Sequence, residues 1–182
     1  MDLMTEGEAL SINRAASEDR KRAEHFLLCY REELATYRAA REDFVSLHGE
    51  VPETKGFQPT ERSVVRGQEF DRASEERSWL QAVEVVERGL SDQKRVFLHA
   101  RRAAENVRGT GFRQGRPGWV AQTQRIYTRS MEREYLDPCA WLAERTVKAW
   151  WQDLVARVAE TELRIKNLLL DREQHKTEEP QE

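Results

Sequence analysis

A chain of 182 residues holds one ordinary domain or two small ones. With 38% hydrophobic residues, 35% charged residues, a mean hydropathy of −0.83 and a net charge of −3, it has enough apolar residues for helix seams and too few for a thick sheet-based core. No run approaches a membrane span, no apolar segment follows the acidic start Met1-Asp-Leu-Met-Thr-Glu, and Cys29 and Cys139 fit neither a zinc nor a redox spacing. A cytoplasmic chain with reduced thiols, no metal and no cofactor is therefore expected.

The predicted elements are all helical. Residues 1–16 are expected to be a flexible start. Ser17 can cap a helix to about His48, along which Ala23, Leu27, Tyr30, Leu34, Tyr37, Phe44 and His48 recur at alternating steps of four and three, with Arg41 at the one polar seam position. Such a seam serves either a partner, and so a homo-oligomer, or the helix's own chain. After the linker EVPETKGFQPTE, Thr60 is a second cap candidate, and a helix runs to Gly89 with Ala73, Leu80, Val83 and Val86 as its apolar stripe and Trp79 beside it. Residues 17–89 thus read as a long helical pair, a hairpin with a coiled-coil-like segment. Leu90-Ser-Asp-Gln-Lys restarts the chain in the manner of a capped helix, whose buried side holds Val96, Phe97, Ala100, Ala103, Ala104 and Val107.

The stretch RGTGFRQGRPG at 108–118 is no phosphate-cradling loop, because no Gly-Lys-Ser/Thr ends it. Arg113 and Arg116 are either cations for a DNA minor groove or parts of a basic linker. From Pro117 to Glu134, Trp119, Val120, Thr123, Ile126, Tyr127, Ser130 and Met131 sit at helical spacing. Pro138 is expected to stop that helix, with Trp141 and Leu142 plugging the corner before the next. A last helix starts near Glu144. Val147, Trp151, Leu154 and Val158 form its core face, continued by Ile165 and Leu168 and interrupted by Thr161, which assigns Trp151 to the core and Trp150 to a rim. On another face Arg145, Lys148 and Gln152 share helical spacing at the end of a helix where a reading helix meets base edges, and Thr146 lies beside them. The alternative is a solvated row of charges. Residues 90–170 thus read as a helix-turn-helix-like unit and 171–182 as a disordered tail.

Charge is uneven along the chain. Residues 91–134 carry 10 Lys and Arg against 4 Asp and Glu, a net of +6, whereas residues 1–90 carry 13 against 19, a net of −6. That asymmetry limits any phosphate footprint to the third helix, the glycine-rich loop and the reader. No Ser/His/Asp, Cys/His or HExxH constellation has supporting context, so the chain is not expected to be an enzyme.

The order of a long N-terminal helix, a Gly/Pro linker, a helix ending in WLQAVEVVERGLSDQKRVFLHARR and a C-terminal ERTVKAWWQDLVARVAE resembles phage late-transcription regulators of the ArpU and RinA type. Those regulators are similar to the promoter-reading fourth region of sigma factors. The resemblance implies a transcription regulator that reads double-stranded DNA through Arg145, Thr146, Lys148 and Gln152, with self-association or RNA polymerase contact through the N-terminal helices. This chain departs from that pattern by the segment from Gly109 to Leu142, inserted ahead of the reader. Two other readings stand beside it. One is a small DNA-packaging (terminase) subunit, the other a non-enzymatic helical adaptor for a protein partner.

Overall fold

The computed structural model describes residues 6–47, 59–109, 118–137 and 139–178. They form six helices, α1 Glu6–Leu47, α2 Pro59–Ala73, α3 Glu75–Arg88, α4 Asp92–Gly109, α5 Trp119–Tyr135 and α6 Glu144–Glu178. No strand occurs among the described residues, as the seam-like spacing of the apolar residues requires.

Helix boundaries depart from expectation where breakers are weak. Ser17 lies inside α1, which starts at Glu6, because residues 8–16 contain neither glycine nor proline to stop a helix. The helix α6 likewise continues through 171 to Glu178. The single helix expected from Thr60 to Gly89 is two. Ser74 has extended dihedrals (φ −87°, ψ 119°) and stands as N-cap before Glu75 and Glu76, a serine followed by acids that suit the positive end of a new helix. The break leaves Ala73 exposed, while Trp79, Leu80, Val83 and Val86 are buried.

One hydrophobic cluster runs through the fold, from Ala23 and Leu27 of α1 through Trp79 and Val83 of α3, Phe97 of α4 and Tyr127 of α5 to Val147, Leu154 and Val158 of α6. It crosses the 89/90 position without interruption. The seam of α1 is taken up by the chain's own α2, α3, α4 and α6. Helix α1 bends at Cys29 (φ −98°, ψ 15°), and two residues earlier the Arg102 Nε donates to the Leu27 carbonyl (2.7 Å), the kind of side-chain insertion that bends helices. Helix α5 packs chiefly on α4, whereas α6 packs chiefly on α3 and α1.

The polar seam position Arg41 has a specific answer. Asp71 of α2 accepts from the Tyr37 hydroxyl and from Arg41 Nε (2.9 Å), and Arg77 lies 3.3 Å from its other oxygen. Gly67 leaves the room for Arg41, since a Cβ there would collide with the guanidinium. Burial alone would raise the Asp71 carboxyl, but hydrogen bonds from Tyr37 and Arg41 and the charges of Arg77 and Arg41 outweigh it and hold the group below its ordinary value. Burial, reinforced by Asp71, pushes the Tyr37 hydroxyl up to about 12.

The signs of the two shifts are opposite. Asp71 adds stability above the ordinary carboxylate pKa, and this is lost as pH falls through its lowered folded value. Tyr37 adds stability below the ordinary phenol pKa of about 10, lost as pH rises toward about 12. Asp71→Asn should therefore flatten the acid side of a plot of urea midpoint against pH, and Tyr37→Phe the alkaline side. An acid limb of unchanged slope in Asp71→Asn would contradict this account.

Candidate nucleic-acid interface

The helix α6 begins at Glu144, where the spacing placed it. Its first three turns expose Arg145, Lys148 and Gln152, which line one surface depression with Glu144 and Ala149. The two cations differ. Lys148 Nζ is 2.6 Å from Glu144 Oε1 one turn earlier, so its charge is partly neutralised. Arg145 has no ion pair or hydrogen bond among the described residues. Thr146 is half-buried and stands off this row. Arg113 and Arg116 lie outside the described residues. Chemically, the row offers a guanidinium and an ammonium for phosphate or guanine and a carboxamide for adenine.

The helix start is held firmly from beneath. Trp150 meets Phe97 of α4 and Tyr127 of α5 edge-on, with ring centroids 5.5 Å and 6.5 Å apart. Trp151 is 6% exposed and its Nε1 donates to Glu24 of α1 (3.0 Å), so Trp151 is the core residue and Trp150 the rim residue, as the series Val147, Trp151, Leu154 requires. Arg101 of α4, only 3% exposed, lies between two indoles, its guanidinium carbon 4.6 Å from the Trp119 centroid and 4.9 Å from that of Trp151. This arginine joins α4, α5 and α6.

Five of the ten cations of residues 91–134 are paired, Arg101 and Arg102 of them in the interior and Arg95 and Arg133 at the surface. Lys94 pairs with Asp153 (2.8 Å), Arg95 with Asp92 (3.2 Å), Arg101 with Glu105 (2.8 Å), Arg102 with Glu87 (3.0 Å) and Arg133 with Glu134 (3.1 Å). A charge count along the sequence cannot separate these from unpaired cations. Two arginines overlooked by the sequence argument remain: Arg125 and Arg129, one turn apart on α5, exposed and unpaired among the described residues. Their signal was their i, i+4 spacing beside the buried Gln124 and half-buried Thr128.

The connection between α5 and α6 also differs from expectation. Helix α5 ends at Tyr135, capped by Leu136 in the left-handed region (φ 52°). The helix thus stops before Pro138, which itself lies outside the described residues. Thr128 Oγ1 donates to the Ala140 carbonyl (3.1 Å) and Gln124 Nε2 to the Leu142 carbonyl (2.7 Å), which pins the connection along α5. Ala140 and Leu142 pack on the core. Tight turns carry the chain past Trp141, whose N–H donates to the Cys139 carbonyl (2.8 Å), and the indole between Ala140 and Leu142 turns outward. It is 62% exposed and does not plug the corner.

A second concavity lies at the α1 bend, lined by Cys29, Glu32, His99 and Arg102 among others. Burial, then Glu32, Glu33 and Glu105, pushes the Cys29 thiol up, which keeps it protonated and a poor nucleophile. Among the described residues no three His, Cys, Asp or Glu side chains are placed to hold a metal ion, and no helix is long and apolar enough to cross a membrane. Comparison of the chain with protein-family models, curated proteins and solved structures found no match.

Proposed function

We propose that this chain binds double-stranded DNA through the start of α6 and acts as a transcription regulator of phage or prophage type. The observation that carries the reading is the exposed row Arg145, Lys148 and Gln152 at the beginning of a helix, with Arg145 unpaired among the described residues. Backbone N–H groups and the helix dipole at that end favour a phosphate, and side chains in the first turns are the ones that reach base edges. The support under Trp150 and Trp151 keeps the row in place without a partner. The resemblance to ArpU- and RinA-type regulators agrees with this reading by arrangement.

The test is fluorescence anisotropy of a random duplex and of DNA from around the gene's own locus at two salt concentrations. Arg145→Ala should weaken binding roughly tenfold at low salt and reduce the slope of log K against log salt by about one. Lys148→Ala should do less, because Glu144 already holds that ammonium. Identical affinities of wild type and Arg145→Ala would sink the proposal.

One observation favours a second reading, a helical adaptor. Leu168, expected on the core face, is exposed together with Leu169 and Leu170 on the part of α6 beyond the core, apolar side chains available to a protein partner, whether a further copy of the chain or a polymerase. Failure to bind any duplex at low salt would shift the weight to it.

A further inference from the structure

The connection from Tyr135 to Glu144 combines two features that folding alone does not explain. It is held by several hydrogen bonds. Besides the bonds from Thr128 and Gln124, the Asp137 carboxylate accepts from the Cys139 N–H (3.1 Å), and the Trp141 N–H donates to the Cys139 carbonyl (2.8 Å). Yet it presents its largest apolar side chains to water. Trp141 is 62% exposed, and Leu136 is 86% exposed at a left-handed position that glycine would take without strain. The bonds to the Ala140 and Leu142 carbonyls hold the backbone that carries the indole before any partner arrives, which lowers the backbone entropy lost on contact.

Its charged neighbours indicate the partner. Arg125 and Arg129 immediately follow Gln124 and Thr128, the two residues that pin the segment, and Arg145 is the second residue of the helix that leaves it. None of the three has an ion pair or hydrogen bond among the described residues. Of the nearby acids, Glu134 and Glu144 are matched to Arg133 and Lys148, whereas Glu132 and Asp137 have no ion pair among the described residues, which leaves three unpaired guanidiniums against two carboxylates. An exposed aromatic face beside unpaired guanidiniums is complementary to a nucleic acid in which at least one base has left its stack, since phosphates meet the arginines and the base plane meets the indole. A fully stacked duplex would offer the indole only groove edges.

We propose that Trp141 is a stacking platform for an unpaired or flipped base, adjoining the phosphate contacts of Arg125, Arg129 and Arg145, so that the chain prefers DNA opened beside the duplex gripped by α6. Leu136 stands on the same connection as an apolar wedge against the opened step. The inference rests on the duplex-binding reading of α6 and adds to it the form of DNA selected. It places the protein's target at melted or distorted duplex.

Three probes of one sequence separate the possibilities: a fully paired duplex, the same duplex with a short mismatched bubble, and the single strand. Wild type should bind the bubble duplex roughly 5- to 150-fold more tightly than the paired one, the range expected for stacking one base on an aromatic ring. Trp141→Ala should abolish that gain while leaving affinity for the paired duplex and the salt slope unchanged, and Trp141→Phe should restore part of it. Equal binding of bubble and paired duplex by wild type, or a gain that survives in Trp141→Ala, overturns the inference and leaves duplex binding by α6 intact. No binding to any of the three probes overturns both.

Discussion

Arg101→Ala should lower the stability of the fold by about 3 kcal/mol, a shift of roughly 6–12 °C in Tm for a chain of this size. Three contributions go together. The guanidinium loses two cation–π contacts in a site only 3% exposed, to Trp119 at 4.6 Å and Trp151 at 4.9 Å. The space between the indoles is left as a cavity. Glu105 loses its partner at 2.8 Å, but that carboxylate is 37% exposed, so water replaces the arginine there at little cost. Arg101→Lys should lose about half as much, because an ammonium keeps the charge and cannot stack flat between two rings. Chemical denaturation followed by circular dichroism reads both numbers. An Arg101→Ala midpoint matching wild type would show that the two indoles close up without the guanidinium.

The second large effect is expected at Glu162, a carboxylate only 4% exposed on the face where α6 meets α3. Its Oε1 accepts from Ser78 Oγ (2.8 Å) and lies 2.6 Å from Lys166 Nζ. Glu162→Lys would bury an unpaired cation beside Lys166, at a cost of about 4 kcal/mol. Glu162→Gln keeps an acceptor for Ser78, whose hydroxyl also has the Glu75 carbonyl at 3.0 Å, and Lys166 is exposed enough to return to water, so the loss should be about 1 kcal/mol. The gap between the two variants is the diagnostic. Equal losses would mean that volume at this position, and not charge, governs the α3–α6 contact.

Much of the fold can be derived from spacing. The steps of three and four through Ala23, Leu27, Val83, Val147 and Leu154 locate helices and their inner faces, because a helix repeats every 3.6 residues whatever it packs on. The same rule told Trp151 from Trp150. Spacing is silent about weak stops: Ser17, which continues α1, is followed by Glu18 and Asp19 just as Ser74, which begins α3, is followed by Glu75 and Glu76, so only the burial downstream of Ser74 separates them. It is equally silent about which helix covers which face. The α1 seam reads the same whether a second molecule or α3 fills it, and only the tertiary structure shows α2, α3, α4 and α6 in that place.

At the candidate interface the division is similar. Arg145, Lys148 and Gln152 follow from one helical face, so the sequence sufficed to align them. That Arg145 is unpaired among the described residues, that Lys94 and Arg102 are paired with Asp153 and Glu87, and that Arg125, Arg129 and Trp141 are exposed are tertiary facts. The physical reason is range. Helical periodicity is set by bonds between residues four apart, whereas the charge a residue shows to solvent depends on partners up to 59 positions away, as for Lys94 and Asp153, which only the packed chain brings within reach.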